Sequence, residues 1–427
     1  MGKLLSVVLL SGLLASPVFA QTYTWPQSQC KAVYQCDGQP LAAGAGGAGA
    51  GGAGASMKVG VNFWYLAPTW GFGTPWKASI NWATAYSSSA AVWSDAFLAD
   101  LQPFKVLRLM DWNGTNHSKI TSWSQRRLPT DPGNASIYVD QSTGIVPGLA
   151  YEWQFDLCSR TQKTCWITLP MQADDQYLVE FAKLAKAKLA PGLSLVVELS
   201  NEPDGGWFSQ TAQAQAKAAQ LGLPGAAPWY QGAAFVTYRT LQVRKALQDQ
   251  FGSDVGSRVL VGRCTVGNTD LMRQSLTTVY KSAQWNPTNQ KLDLLCMSAY
   301  FGNGRDGSTY TLAQAKQDID SLVNSGDGFK AIKGVATANG IPTLVVYEGG
   351  VHVLSNAGVF SAKPEAGQAM TYLLDQAAPY FNWFTIYTDS STWPNTQGNG
   401  AWGLKSQIGG PETSKSTAVK NWIVSHP

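Results

Sequence analysis

Charge is in short supply along this chain. Only 14% of its 427 residues are Asp, Glu, Lys or Arg, and the net charge is +4, so no basic field is present for nucleic acid. Histidine is scarcer: His117, His352 and His426 are the whole supply. The six cysteines, Cys30, Cys36, Cys158, Cys165, Cys264 and Cys296, match no zinc spacing, so neither a metal nor a cofactor is expected. Beyond the N-terminus no apolar run approaches the roughly 20 residues of a membrane span. No glycine-rich dinucleotide fingerprint follows the first strand pattern, whose sequel is Trp64-Tyr-Leu-Ala-Pro-Thr-Trp70. What remains is a neutral partner. The 17 tryptophans and 16 tyrosines suit one, because flat aromatic faces grip the apolar faces of sugar rings, although many must also serve the core.

Residues 1–20, MGKLLSVVLLSGLLASPVFA, combine one lysine, an apolar run and a small-residue ending, the layout of a secretory signal peptide. Export to an extracellular or periplasmic space is therefore expected, and an even cysteine count in such a chain points to disulfides. The expected pairs are Cys30 with Cys36, Cys158 with Cys165 and Cys264 with Cys296, although six cysteines leave other connectivities open. Residues 42–56 hold only alanine, glycine and one serine, which cannot build a core and read as a flexible linker. The piece before it, 21–41, is too short to fold unaided and reads as a Cys-containing N-terminal segment.

From 57 to 427, short β-branched runs alternate with longer helical patterns. The strand candidates are 58–66, 105–112, 165–170, 193–200, 258–265, 292–300, 342–348 and 383–388. Helical patterns cover 91–101, 174–189, 233–251, 269–283, 311–323, 365–378 and 412–424. Alternation of this kind implies a parallel sheet with right-handed crossovers, and eight strands close into a (β/α)8 TIM barrel with extended βα loops. The working site of such a barrel gathers at the C-terminal ends of its strands.

The stretch Val197-Glu-Leu-Ser-Asn-Glu-Pro203 places two acids at the end of the fourth strand pattern. Glu198 falls deeper, where an arginine such as Arg108 or Arg263 would neutralise it, while Glu202 meets the break at Pro203 and so belongs at the rim. A comparable acid, Glu348, closes the seventh strand pattern in Leu344-Val-Val-Tyr-Glu-Gly-Gly350, where two glycines would let the backbone turn. In a closed barrel these two strand ends face each other across the mouth. Asp111 and Asp389 are further rim acids that would suit substrate hydroxyls.

Asn201-Glu202-Pro203 after the fourth strand and Glu348 after the seventh, with Arg108 in the second and Tyr300 closing the sixth, resemble clan A of the glycoside hydrolases, the retaining enzymes built on (β/α)8 barrels. The piece from Ala173-Asp-Asp-Gln-Tyr177 to Pro203 is also similar to bacterial cellulose-associated members of that clan. The resemblance implies Glu202 as general acid/base, Glu348 as nucleophile, Arg108 and Tyr300 as donors to Glu348, and Asn201 as donor to the sugar 2-hydroxyl. The chemistry asks for the same pair independently, since acetal cleavage needs a proton on the leaving oxygen and a carboxylate to trap the cationic carbon.

Candidate sugar platforms are Trp64, Trp70, Trp112, Trp207, Trp393 and Trp402. The resemblance implies that a tryptophan near the end of the eighth strand floors the subsite at the cleaved bond, and Trp402 is favoured over Trp393 for it. The loop 113–150, with Trp123, Arg126 and Arg127, would wall one side of a cleft. The function expected is a secreted retaining hydrolase, acting as a monomer on a polymeric β-glycan. Cellulose or a related β-glucan comes first, with xylan, mannan and arabinose-containing polymers behind. A non-catalytic carbohydrate-binding barrel and a transglycosylase using the same glutamates are the alternatives.

Overall fold

A computed structural model describes residues 57–63, 74–135, 145–394 and 400–427. The signal-like segment, residues 21–41, the linker, Cys30, Cys36, Trp64 and Trp70 lie outside them. Eight strands form a closed, all-parallel barrel in sequence order. They are β1 (Lys58–Asn62), β2 (Val106–Arg108), β3 (Thr164–Leu169), β4 (Leu195–Leu199), β5 (Val259–Thr265), β6 (Leu294–Phe301), β7 (Thr343–Val351) and β8 (Trp383–Ile386). β8 closes the ring by pairing with β1, Val61 opposite Ile386.

Alternation along each strand sorts two apolar layers. Val61, Leu107, Ile167, Val197, Val261, Leu295 and Phe384 face outward into the large core shared with the helices. A second group, including Val106, Trp166, Val196, Leu260, Leu294, Val345 and Tyr347, fills the barrel itself. Among the surrounding helices, Asp175–Lys188 starts at Asp174, whose side chain accepts from the Tyr177 N–H, and Pro228–Phe251 opens on a proline at its first turn.

The sequence pattern overlooked the helix Tyr151–Thr161, whose residues are mostly buried. β2 is also shorter than its apolar run: the chain turns after Arg108, so Trp112 enters the core instead of standing on a strand end. β7 runs on through Gly349 and Gly350 to Val351, so Glu348 does not end it.

Two expected disulfides are present. Cys158–Cys165 ties the helix Tyr151–Thr161 to β3, with Cα atoms 5.5 Å apart. Cys264–Cys296 joins residues paired in register on β5 and β6, inside the barrel. Among the described residues no helix is long and apolar enough to cross a membrane.

Candidate active site

Arg108, fully buried at the end of β2, is the hub of the barrel mouth. Its Nε and Nη2 donate to the two oxygens of Glu198 at 3.0 and 3.1 Å, a forked pair. Nη1 donates to Glu348 Oε2 at 2.9 Å, and Nη2 also reaches Asn201 Oδ1 at 2.9 Å. Glu198 accepts a further bond from Trp166 Nε1 at 2.9 Å. Burial raises the Glu198 pKa, against the opposing pull of Arg108. As the sequence suggested, Glu198 is an interior carboxylate neutralised by arginine. Arg263 pairs instead with Asp204, at 3.4 Å.

A bulge in β7 sets the orientation of the acid at position 348. Met297 pairs with Val346, but the next residue of β6, Ser298, pairs with Glu348, leaving Tyr347 as the extra residue. Regular alternation would send Tyr347 and Glu348 to opposite faces. With the bulge, both reach the mouth: Tyr347 Oη donates to Glu202 Oε1 at 2.7 Å, while Glu348 Oε2 accepts from Arg108 and from Asn62 Nδ2, the latter at 2.8 Å. The expected donor Tyr300 makes no hydrogen bond to Glu348. Asn62, at the end of β1, fills that place, although the Tyr300 hydroxyl lies near enough for burial and the Glu348 charge to push its pKa well up.

β4 stops at Leu199, and Ser200 and Glu202 take left-handed backbone angles of φ 61° and 45°. The strand geometry therefore does not continue to Glu202, which is carried to the mouth by a turn. Glu202 is 8% exposed, and its carboxyl group accepts from Tyr347 and, at 2.6 Å, from Trp207 Nε1. Burial first, and the charge of Glu348 second, raise the Glu202 pKa well above the usual carboxylate range, while the Tyr347 and Trp207 bonds oppose that shift. Two acids thus converge in unlike settings: Glu348 is held by a guanidinium and an amide, and Glu202 receives two neutral donors and no cation.

The other expected site residues divide. Trp207 is 53% exposed beside Glu202, a placement open to a ligand. Trp402 joins Tyr300, His352 and Tyr387 in one aromatic group, its Nε1 donating to His352 Nδ1 at 3.2 Å. Asn201 has its amide oxygen on Arg108 and its Nδ2 3.2 Å from Asn116 Oδ1, so its donor is partly engaged within the protein. Trp112 is not a platform: it is 2% exposed and packs among Phe63, Trp76, Trp93 and Phe97. Trp393 also turns inward, with Nε1 on Gly403 O at 3.1 Å and the Lys415 ammonium 4.8 Å from its ring centre.

The remaining rim residues serve the scaffold. Arg126 lies 4.4 Å from the Trp123 ring centre and pairs with Glu152, and Arg127 Nε donates to Gly148 O, so these three brace the second loop. Asp111 accepts from the backbone and the side chain of Asn116, both at 2.9 Å. Asp389 is buried, and burial together with nearby Asp100 pushes its pKa up to about 7. Asn62, Tyr347 and His352 were not singled out from the sequence. The first sits at a strand end, which was a usable signal; the second shares the inward face of Val345 on β7.

Among the described residues no group of three or more His, Cys, Asp and Glu side chains is placed to hold a metal ion. No protein-family model matches the chain, and no curated protein matches it. Solved structures do. An α-L-arabinofuranosidase from Thermotoga maritima, solved as an arabinose complex, superposes with TM-score 0.55 at 11% identity, over 86% of this chain and 70% of its own. The GH51 arabinofuranosidase of Xanthomonas axonopodis pv. citri gives TM-score 0.56 at 12% identity, over 87% and 73%. The family 51 α-L-arabinofuranosidase AbfB of Bifidobacterium longum gives 0.54 at 14%, over 87% and 74%. At such identities the likeness is one of fold, and it establishes that this chain has the (β/α)8 barrel on which those glycosidases are built.

Proposed function

We propose that the chain is a secreted retaining glycoside hydrolase, with Glu202 as general acid/base and Glu348 as nucleophile. The observation that carries this reading is the asymmetry between the two acids. Glu202 sits in a buried setting that favours its protonated form and, among the described residues, has no cation beside it, whereas Glu348 accepts from the Arg108 guanidinium and the Asn62 amide. A fold shared with glycosidases adds to it.

In the first step the Glu202 proton passes to the glycosidic oxygen as the bond to the anomeric carbon breaks, and Glu348 attacks that carbon from the opposite face to form a glycosyl ester. In the second, Glu202, now a carboxylate, takes a proton from water as its oxygen attacks the same carbon and releases Glu348. Arg108 keeps Glu348 oriented in both steps. Trp207, open to solvent beside the acid, is suited to the leaving sugar, and Trp402 with Tyr300 to the sugar that becomes attached.

The substrate proposed is a polymeric β-glycan, with a β-glucan first. The arabinofuranosidases among the similar structures place arabinose-containing polymers in the same trial. Purified protein incubated with β-glucans, xylans, mannans and arabinans is expected to release reducing ends from at least one, and Glu348→Ala to release none. Retention of polysaccharide by the wild type without release of reducing ends would overturn the reading in favour of a binding barrel.

A further inference from the structure

His352 follows directly on β7, four residues after Glu348, and its backbone N–H donates to Phe301 O at 2.7 Å, so β6 fixes its place. The imidazole lies half-buried between Tyr300 and Trp402, with ring centres 5.0 and 5.8 Å away. Trp402 Nε1 donates to Nδ1 at 3.2 Å. An indole N–H only donates, so Nδ1 must be the unprotonated nitrogen and the ring proton sits on Nε2. Burial keeps the ring neutral, lowering its pKa to about 4. Among the described residues Nε2 has no hydrogen-bond partner, yet it is not one of the sealed polar atoms of the interior.

We propose that His352 is a specificity-determining residue, its Nε2–H donating to a hydroxyl of the sugar that rests against Trp402 and Tyr300. This deepens the glycosidase reading and rests on it for the identity of the site. The tautomer follows from the Trp402 bond, and the location from Tyr300, which pairs on β6 with Gly350, two residues past Glu348 on β7. The charge of the mouth narrows the class of sugar. Arg108 is committed to Glu198, Glu348 and Asn201, and Arg263 to Asp204, so the donor offered beside the nucleophile is neutral. A neutral N–H suits a hydroxyl of an uncharged sugar, whereas a uronic acid would call for a guanidinium or ammonium.

The test compares the wild-type full chain with His352→Leu, which removes the donor, and His352→Gln, which keeps an N–H. Probes are 2,4-dinitrophenyl glycosides of β-glucose, β-xylose, β-mannose and α-L-arabinofuranose, followed by single-deoxy analogues of the best one. His352→Leu is expected to lower kcat/KM about 10- to 100-fold with an unchanged melting temperature, and His352→Gln to restore most of it. The loss should vanish for one deoxy analogue, the one lacking the bonded hydroxyl. Equal losses across all analogues, or no loss, would overturn the proposal.

If the wild type hydrolyses none of the probes, binding decides the proposal, and the hydrolase reading fails separately only if no polysaccharide releases reducing ends either. The same decision applies if His352→Leu does not fold. The chain labelled with 15N-histidine has only three imidazoles to resolve, and glucose, xylose, mannose and arabinose are titrated in turn. Movement of the His352 Nε2 resonance with one of these sugars upholds the contact, and a fixed resonance with all four refutes it.

Discussion

Tyr347 and Glu348 are chain neighbours on one strand, yet both reach the barrel mouth, the tyrosine hydroxyl 2.7 Å from Glu202 and the glutamate 2.9 Å from Arg108. The extra residue in β7 makes this possible, and it couples the two acids through one short piece of backbone.

Removing the Tyr347 hydroxyl tests the state of Glu202. That bond favours the charged carboxylate, so Tyr347→Phe should raise the Glu202 pKa further. Loss of the protonated acid then begins at higher pH, and the basic limb of the kcat/KM profile moves up. A limb that stays in place or moves down would count against Glu202 as the acid.

Removing each carboxyl group separates their roles. Glu348→Ala should abolish turnover, with azide restoring part of it and giving a product of inverted configuration, as a small nucleophile in the vacated space requires. Glu202→Ala should spare aryl glycosides whose leaving group needs no proton far more than natural glycans. Equal losses on both substrate types would refute the acid assignment.

Arg108→Met leaves Glu198 and Glu348 without their shared cation, at sites where the side chains are 1% and 6% exposed. Removing one partner of a buried pair costs about 3–5 kcal/mol, to be read by urea unfolding at neutral pH. Protonation of Glu198 would relieve part of that cost, so the deficit should shrink as the pH is lowered, since burial already raises the Glu198 pKa.

Asp389 and Lys415 make a second pH signature. Asp389 has its folded pKa raised to about 7, so the folded state holds a proton the unfolded chain has lost, and stability falls as pH rises from about 4 toward 7. Lys415 is buried without a carboxylate, bonded to Ala401 O and Ser361 Oγ, and its pKa is lowered to about 7. Here the unfolded chain holds the extra proton, so stability rises as pH goes from about 7 toward 10. The two together predict a stability minimum near neutrality. Asp389→Asn should flatten the acidic side of it by up to a few kcal/mol while leaving the alkaline rise, a difference urea titrations at pH 5, 7 and 9 would read.

The barrel was legible because its strands carry β-branched runs and its helices a longer period, and both rim glutamates stood out because each follows such a run. The details lost were those in which backbone overrides pattern. Trp112 looked like a rim residue only while β2 was read past Arg108; the turn there sends it into the core. Tyr347 shares the inward face of Val345, and the bulge after it turns Glu348 to that face as well, a shift that simple alternation does not show. Tyr300 was assigned a bond that Asn62 makes, because Asn62 has no acid beside it in sequence to draw attention to its strand end. Trp207 and Glu202, five residues apart on one loop, needed only proximity.

The bond between Cys264 and Cys296 constrains the order of assembly. Both sulfurs belong to residues no more than 5% exposed and sit inside the closed ring of strands, where an oxidant the size of glutathione has no access. Burial of this kind predicts that the two thiols are joined while β5 and β6 are still open to solvent, with oxidation ahead of closure. Chain refolded in reductant and oxidised afterwards should keep this pair as thiols, and Cys158 and Cys165, both 0% exposed, should resist the same oxidant, which mass spectrometry of alkylated peptides would read.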